Sequence, residues 1–472
     1  MNNNHRPRRL ALLMLAFGGF VFAAFAADPA ITVSARQRYP WNGLVDINFT
    51  ITGDAGTKYD TSFTAKDMVG NTNIAMRTIR KADGTAAAAM EQLLPGSYIW
   101  VWDTVADLPK GFKSNHVRVT GTANISAFPY SVKFNANGGT GTMADESFTY
   151  GIAKALTANA FTRTGYTFQG WATSASGAKV YNDKQSVLNL ADASGAVVNL
   201  YAVWKARLYM VINLSSGASS TSYPISYLDA VPSGGWTDTH KKTRLVLRRI
   251  DAGSFKMQGK TTTTLTKSFY IGIFEMTKKQ WSLVTGDTFW SASYDTDPRS
   301  CSYSEARGST NGAKWPSSSA VDSSNFIGKL RTRTNKNFDL PTEAQWEYAC
   351  RAGTTTTYYW GNTINGDYCW YNGNSPMPAT ERVSSPVGTK KPNAWGLYDM
   401  SGNLSELCLD WYGSLAYGTD PKGPSSGTER VGRGGWYMSG NTTHGHPLSE
   451  LTSSGRVERS SGGFRLCLTL SD

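Results

Sequence analysis

The stretch Leu340-Pro-Thr-Glu-Ala-Gln-Trp-Glu-Tyr-Ala-Cys-Arg-Ala-Gly353 predicts the fold of the C-terminal half most directly. Thr342 is suited to cap a helix N-terminus, and Gln345 three residues later completes a capping box. Apolar residues recur at helical spacing and predict one buried face: Trp346, Ala349 and Cys350. We therefore expect a short helix that ends at Gly353, where a left-handed residue is favoured.

The sequence around this helix alternates short strands with loops rich in glycine, asparagine and tryptophan. Leu245–Ile250 has the pattern of a strand, and Lys267–Trp281 that of a strand running into a helix capped by Thr277. Long ordered loops such as Trp395–Leu407 usually need a metal ion or a disulfide to hold them. We expect one mixed α+β, loop-rich domain over 241–472.

The N-terminus has the features of a secretory signal peptide over 1–26. A basic start precedes an apolar run from Leu10 to Phe25, and Ala24-Phe25-Ala26 is a small-x-small cleavage site. An uncleaved N-terminal anchor is the alternative. No later run approaches the roughly 20 apolar residues that a membrane span needs. We expect a secreted or cell-envelope protein with no membrane span after signal removal.

Charge and cysteine content limit the possible classes further. The formal net charge is +12, but the basic residues are scattered. Nucleic-acid binding needs a clustered basic face, so it is not expected. The five cysteines all lie beyond residue 300: Cys301, Cys350, Cys369, Cys408 and Cys467. They are either two disulfides and a free thiol, as an exported protein permits, or mostly small buried hydrophobic residues.

The region 28–122 predicts a small all-β domain. Its segments alternate apolar and polar residues with period two, and turn signals separate them. Four to seven strands in this length suggest a β-sandwich of immunoglobulin or fibronectin type. Trp100 and Trp102 lie on one face of a strand. Core packing is the favoured role of this pair, and a sugar-stacking platform is the alternative.

The region 128–205 forms a separate unit with a sharper pattern. It contains Val132-Lys-Phe-Asn-Ala-Asn-Gly-Gly-Thr, Phe161-Thr-Arg-Thr-Gly-Tyr-Thr-Phe-Gln-Gly-Trp-Ala and Asn199-Leu-Tyr-Ala-Val-Trp, with a turn signal at Asn137-Gly138. It resembles the internalin B-repeat, also called the Listeria–Bacteroides repeat. That resemblance implies a β-grasp-like spacer or adhesive module without chemistry of its own. Residues 206–240 are rich in small and turn-forming residues and are predicted to be a linker, in which Leu208–Leu214 could form one strand.

Seven ordered motifs in the last 230 residues resemble the formylglycine-generating enzyme family, also called sulfatase-modifying factor. They read AGSFKMQG, FYIGIFEMTKKQW, LPTEAQWEYACRAGT, YYWGN, NAWGLYDMSGNLSEL, RVGRGGWYM and GFRL. The resemblance implies a C-type-lectin-like fold. It also implies, for active members, oxidation of a sulfatase cysteine by oxygen with a copper(I) ion held by two cysteines.

The resemblance places those two cysteines at Ser439 and His444 of this chain. Neither side chain supplies the thiolate that binds soft copper(I), so copper and oxidase chemistry are not expected. His444 and His446 either share another metal or are loop histidines at a pocket rim. We predict a binding site at Trp436, Ser439, His444 and His446, on a stretch that related lectin-like proteins use for ligands. An ordinary surface loop is the alternative.

A calcium site is also implied by the resemblance. The family binds calcium in the loop that here reads Asp399-Met-Ser-Gly-Asn-Leu-Ser-Glu406. Asp399 and Glu406 would offer side-chain oxygens, while Gly402 and Leu404 would offer carbonyls, which suits a hard cation. The family's Trp-Glu-Trp is Ser-Glu-Leu here. A Glu406 carboxylate satisfied by backbone donors of the same loop is the alternative.

Three functions follow from these observations. The favoured one is non-catalytic binding of a protein or glycan ligand at the cell surface by the C-terminal domain, with the upstream modules as spacers. The second is an oxidase of the formylglycine-generating type that modifies a protein cysteine. The third is a purely structural component of the cell envelope.

Overall fold

The computed structural model of the chain describes residues 29–87, 92–375, 384–440 and 448–470. It is rich in strands, has few helices and divides into two compact units. The first unit comprises residues up to Thr162 together with Gln169–Val203, and the second comprises Arg163–Phe168 with the chain from Trp204 onward.

Two sequence-based expectations concern the membrane. Among the described residues, no helix has both the length and the apolar character that a membrane crossing requires. The predicted signal peptide, residues 1–26, lies outside the described residues.

Two sheets form the first part of the first unit. Its elements are β1 (Ala30–Gln37), β2 (Leu44–Thr52), β3 (Tyr59–Asp67), β4 (Thr72–Ile74), β5 (Ile79–Lys81), β6 (Gly96–Asp103), helix α1 (Thr104–Asp107) and β7 (Val117–Ile125). The strand orders are β1-β2-β6-β5 and β4-β3-β7. Every pairing within these sheets is antiparallel.

The apolar residues of these strands meet between the two sheets. The ring of Phe63 lies 4.9 Å from that of Phe49 and 5.5 Å from that of Trp100, measured between centroids. Trp100 and Trp102 are only 5% and 2% exposed. Core packing is therefore confirmed for this pair, and a surface platform is excluded because neither ring face is open to a ligand.

A second sheet system completes the first unit. Its strands are β8 (Pro129–Asn135), β9 (Glu146–Thr149), β10 (Lys154–Ala155), β11 (Tyr166–Ala172), β12 (Ser186–Val187) and β13 (Val197–Ala206). The main sheet has the order β11-β13-β8-β9, with β13 and β8 parallel. Asn137 and Gly138 both have positive φ, of 47° and 83°, as the predicted turn requires. Trp171 is fully buried against Phe134.

From Tyr209 onward, the strands of the second unit within the described residues are β14 (Tyr209–Asn213), β15 (Ile225–Leu228), β16 (Arg244–Ile250), β17 (Gly253–Met257), β18 (Thr261–Leu265), β19 (Phe269–Gly272), β20 (Cys301–Ser302), β21 (Glu406–Trp411), β22 (Gly418–Thr419), β23 (Arg430–Arg433), β24 (Arg456–Arg459), β25 (Ser461–Gly462) and β26 (Cys467–Thr469). Its helices are α2 (Asp238–Lys242), α3 (Lys278–Thr285), α4 (Tyr303–Arg307), α5 (Phe326–Thr334) and α6 (Glu343–Arg351), with short 3-10 turns at Ala292–Tyr294, Gly312–Lys314 and Leu448–Leu451.

The central sheet of this unit has the order β15-β14-β16-β19-β26 and is buried on both faces. Met210 and Ile212 face the cluster that contains α3 and α5, whereas Tyr209 and Val211 face the cluster that contains α6. Smaller sheets, β17-β18-β22, β20-β25 and β21-β23-β24, surround it. Residues 206–240, predicted to be a linker, therefore supply two strands of the main sheet. The possible strand at Leu208–Leu214 is present as β14, whereas β15 was not predicted. The place of β14 inside the sheet was hard to predict because a strand buried on both faces lacks an alternating pattern.

Helix α6 shows how closely local sequence rules can be followed. Thr342 accepts a hydrogen bond from the amide of Gln345, whose side chain accepts from the Thr342 amide, so the predicted capping box is confirmed. Trp346, Ala349 and Cys350 are fully buried, as predicted. The helix ends as predicted in left-handed backbone: Gly353 has a φ of 91°, and Ala352, the C-cap directly before it, has a φ of 46°.

Candidate functional site

The loop from Asp399 to Glu406 has a tightly constrained backbone. Asp399 and Asn403 have positive φ, of 55° and 59°, which short polar side chains tolerate better than most. Gly402 has a φ of 82°, and a Cβ there would lie 2.0 Å from the carbonyl oxygen of Trp370. Only glycine fits this contact. The loop is thus locked against the segment around Trp370, and its carboxylates are directed into the interior.

Glu406 is at the centre of a buried ion pair. Its carboxylate accepts hydrogen bonds from the guanidinium of Arg465, with a 2.6 Å distance from Nε to Oε2. The indole Nε1 of Trp346 donates to the same oxygen at 2.8 Å. All three residues are almost completely buried. The donors that satisfy Glu406 therefore come from distant side chains, rather than from the backbone of its own loop.

Asp399 lies near this pair but is only half satisfied. Its Oδ2 accepts from the amide of Gly388 at 2.6 Å, while Oδ1 is buried without a hydrogen-bond partner among the described residues. Burial, more than any neighbouring charge, raises the pKa of Asp399 to about 6. An orphaned carboxylate oxygen of this kind favours either a proton or a cation.

Sequence reasoning missed a third carboxylate, Glu275. It is almost fully buried, and its two oxygens accept from Asn403 Nδ2 at 2.7 Å and from the Leu404 amide at 3.0 Å. Burial, followed by the charges of Asp399 and Glu406, holds the pKa of Glu275 well above its ordinary value. A single charge in the apolar run from Phe269 to Met276 was the signal that could have found it.

These contacts decide how well the predicted calcium ligands fit a cation. No three His, Cys, Asp or Glu side chains converge as a metal site within the part of the chain that the structure describes. Asp399 fits, because it presents an unpartnered hard oxygen. Glu406 fits poorly, because both its oxygens already accept donors from Arg465. Of the two predicted side-chain ligands, Asp399 is thus the better one, and the carbonyls of Gly402 and Leu404 stay predictions.

The loop that follows β23 holds the other predicted site residues. Trp436 is half-buried, whereas Ser439 is completely buried. The Ser439 hydroxyl donates to Glu450 Oε2 at 2.9 Å and accepts from the Trp436 amide at 3.0 Å. Ser439 therefore supports the loop from behind and does not face a ligand. His444 and His446 lie outside the described residues.

A cleft of 520 Å³ lies beside Trp436, a size that suits a few residues of a bound peptide or a small ligand. Its lining mixes cations, aromatic rings and hydroxyls: Lys278, Trp290, Pro298, Arg299, Ser300, Ser384, Leu404, Ser405, Trp436, Tyr437, Glu458, Arg459, Ser460, Ser461 and Gly462. The lining comes from α3, from the segment before β20, and from β24 and β25. None of these residues is a cysteine.

The five cysteines all lie within the described residues, and none is bonded to another. Each is buried, and burial raises the pKa of every one of these thiols. The interpretation as small buried hydrophobic residues is confirmed. Protonated thiols held in an apolar core do not offer the exposed thiolate pair that copper(I) needs.

Comparison with known proteins gives two family matches. The model of the sulfatase-modifying factor enzyme 1-like domain matches residues 236–470, and that of the Listeria–Bacteroides repeat domain matches residues 130–203. Both matches agree with the resemblances that the motifs carry.

Individual relatives agree with the first family. The chain is 36% identical over 141 residues to the formylglycine-generating enzyme of Streptomyces coelicolor, covering 27% of this chain and 45% of that one. Identity to the formylglycine-generating enzyme of Mus musculus is 39% over 111 residues, covering 21% and 30%. The chain thus spans less than half the length of either enzyme. Chaperone protein LppX of Paenibacillus barcinonensis is 30% identical over 236 residues, covering 41% of this chain and 79% of that one.

Among solved structures, Treponema denticola variable protein 1 aligns with a TM-score of 0.35 and 24% identity, covering 48% of this chain and 96% of that one.

Proposed function

The chain belongs to the sulfatase-modifying factor enzyme 1-like domain family through residues 236–470, and from that membership we propose that its C-terminal domain is a non-catalytic binding domain. The ligand is a polypeptide, held in the cleft beside Trp436. The alternative within the same family is an oxidase of the formylglycine-generating type, which two of the compared relatives are named for.

One observation favours the binding domain over the oxidase. Ser439 stands at the position where the family resemblance puts the first copper-binding cysteine, and its hydroxyl is already committed to Glu450 at 2.9 Å. A buried neutral hydroxyl is a poor ligand for copper(I), which prefers thiolates. Among the described residues that line the cleft there is no cysteine, which supports the non-catalytic role.

We expect no aldehyde when the purified chain is incubated with copper(I), oxygen and a peptide carrying a sulfatase cysteine motif. Mass spectrometry of the peptide measures the loss of sulfur and the formation of the aldehyde. An active formylglycine-generating enzyme, assayed in parallel, is the positive control. Turnover of the peptide by this chain above the copper-only blank would refute a non-catalytic role and establish the oxidase.

The character of the cleft supports a polypeptide ligand. Tryptophan, tyrosine and arginine are the residues most enriched in the energetic centres of protein interfaces, and the cleft presents Trp290, Trp436, Tyr437, Arg299 and Arg459 together. A relative matched over most of its length is named a chaperone protein, and the ligand of a chaperone is another polypeptide. Binding of a glycan instead of a polypeptide in this cleft would contradict the proposal.

The remaining modules complete this proposal. The signal peptide at 1–26 would direct the chain to the cell envelope or the outside, where Asp28–Thr122 as a β-sandwich and 128–205 as a β-grasp-like repeat act as spacers. The C-terminal domain, 241–472, would then be a C-type-lectin-like scaffold that presents the cleft. More and less exposed residues alternate along β2 and the first half of β6, which supports the sandwich. The match of residues 130–203 to the repeat family supports the role of that module as a spacer.

We further propose that a structural calcium ion is held by Asp399 with the carbonyls of Gly402 and Leu404. Removal of calcium with a chelator is expected to lower the melting temperature of the C-terminal domain by about 5 °C or more. Asp399→Ala should abolish both this calcium-dependent shift and calcium binding measured by titration calorimetry. Asp367→Ala is the matched control, because Asp367 is an exposed carboxylate paired with Lys391. The proposal fails if the chelator leaves the melting temperature of the wild type unchanged.

A further inference from the structure

The cleft contains two arginines whose hydrogen-bonding capacity is not fully used. Arg299 precedes β20 and Arg459 ends β24, so two separate segments bring them to one lining. The Nε of Arg299 and the Nη2 of Arg459 are buried, and neither has a hydrogen-bond partner among the described residues. A buried N–H of a charged group without an acceptor is unfavourable and therefore uncommon in native proteins.

The neighbouring carboxylates do not supply the missing acceptors. Glu450 Oε2 lies 3.9 Å from Arg459 Nη2, which is too far for a hydrogen bond, and the same oxygen accepts from Ser439 at 2.9 Å. Glu305 accepts a hydrogen bond from Nη2 of Arg299 at 3.1 Å, but the Nε of Arg299 has no partner among the described residues. Glu450 and Glu305 therefore form ion pairs with Arg459 and Arg299 but leave one N–H of each guanidinium without a hydrogen bond to any described residue.

Both guanidinium groups are held in place by aromatic rings. The Arg459 guanidinium lies over Trp436, 5.7 Å from the ring centroid, and that of Arg299 lies over Trp281 at 5.0 Å and Trp290 at 6.0 Å. Stacking leaves the edges of a guanidinium available for in-plane hydrogen bonds. Because the side chains are already ordered, less conformational entropy is lost when an acceptor binds.

Positive charges outnumber negative charges among the residues that line the cleft. Lys278, Arg299 and Arg459 are cations of the lining, whereas Glu458 is the acidic residue among the described residues that line it. The Lys278 ammonium is 3.6 Å from Asp297, which is itself almost fully buried behind the surface. Cations therefore outnumber carboxylates among the charged side chains of the lining, although each of the three cations also has a carboxylate within 4 Å.

We propose that the cleft recognises acidic side chains of its polypeptide ligand, whose carboxylates accept hydrogen bonds from Arg299 and Arg459. Apolar or aromatic residues beside the acid pack against Trp290 and Trp436. This selectivity rests on the proposed binding function. The preference for negatively charged ligands is not implied by the family match.

The probe is a set of fluorescein-labelled hexapeptide pools in which the two central positions are fixed as Glu, Gln, Lys or Ala and the others are mixed. The purified chain should bind the Glu pool about tenfold to a hundredfold more tightly than the Gln pool in fluorescence anisotropy. The Gln side chain is the matched neutral isostere. Added salt should weaken binding of the Glu pool more than that of the Ala pool.

Variants of the cleft separate recognition from folding. Arg459→Met and Arg299→Met should each remove most of the Glu preference, and Arg459→Lys should restore it only in part, because a lysine lacks the planar fork. Arg249→Met is the control: Arg249 is a similarly half-buried arginine paired with Asp251 that does not line the cleft. Melting curves identify a variant that has lost its fold, and Arg459→Glu then provides a second reading, since it should move the preference from the Glu pool to the Lys pool.

Each outcome decides something. Equal binding of the Glu and Gln pools by the wild type would overturn the acidic selectivity but would leave a polypeptide-binding cleft in place. Binding of no pool would overturn both that selectivity and the proposed function. Binding that is selective for Glu but unchanged in the arginine variants would also overturn the proposal, because the acid would then be recognised elsewhere on the chain.

Discussion

Replacing Arg465 with methionine is expected to lower the free energy of unfolding of the C-terminal unit by about 3–5 kcal/mol. The guanidinium is completely buried and makes the two-pronged contact with Glu406. It also donates to the carbonyl oxygens of Gly272 and Tyr398, at 2.9 and 3.0 Å. Methionine fills much of the space but leaves Glu406 without its cation. The charge of Arg465 also lowers the pKa of the buried Glu275 and Asp399, so its loss would make these two carboxyls still harder to ionise.

Pulse proteolysis in urea, followed through peptides of the C-terminal unit, measures this loss. The experiment is done in chelator, so that no metal ion can take the place of the guanidinium. Arg465→Lys should be destabilised less, because it keeps the charge but not the fork. Arg249→Met, which breaks a pair with the largely exposed Asp251, should cost less than about 1 kcal/mol. An Arg465→Met loss as small as that of Arg249→Met would mean that Glu406 is not a buried charge in solution.

Local sequence rules predicted α3 and α6 but missed α2, α4 and α5, the other α-helices in the described part of the C-terminal unit. The capping boxes at Thr342 and at Thr277 both form, because each depends on residues within three positions of one another. Non-local burial was harder to predict. The strand from Tyr209 to Asn213 was predicted only as a possible strand within a linker, because its surroundings are rich in serine and glycine. Its side chains instead pack on both faces of the central sheet.

The candidate site likewise contains features that the local sequence predicted and contacts that it did not. The loop from Asp399 to Glu406 could be found from its sequence, but the partner of Glu406 is an arginine 59 positions away. Spacing along the chain contains no information about that contact. Ser439 was predicted at a binding surface, and the structure places its hydroxyl against Glu450, behind that surface. The cations of the cleft were missed because they come from separate segments, which only the fold brings together.

Replacing Arg433 with methionine is the second change with a large expected effect, again about 3–5 kcal/mol of destabilisation. Arg433 is completely buried, and its Nη2 donates to Glu347 Oε2 at 2.6 Å and to the carbonyl oxygen of Ser453 at 3.1 Å. A second donor, Nη1, reaches the carbonyl oxygen of Gly455. The variant therefore leaves an underpaired carboxylate on α6 and two backbone carbonyls without their donor.

A double-mutant cycle separates these two contributions. Arg433→Met combined with Glu347→Gln removes the Glu347 charge, which would keep its ion pair with Arg351 but lose the one with Arg433, and does not restore donors to the orphaned carbonyls. The double variant should therefore be more stable than the sum of the single changes predicts. Additive losses would contradict a direct buried ion pair. The free energies of unfolding are obtained by pulse proteolysis in urea, as for Arg465.

The same variant tests the link between the core and the cleft. Ser453 and Gly455, which Arg433 anchors, lead directly into β24, and β24 ends at Arg459 of the cleft lining. Loss of the anchor should loosen that strand before the unit unfolds, because a segment tied by fewer buried contacts opens at lower free energy. Hydrogen exchange at the amides of Arg456–Arg459 should accelerate in Arg433→Met while exchange in α3, on the other side of the central sheet, changes less. Equal acceleration in both elements would show global destabilisation and no specific support of the cleft by Arg433.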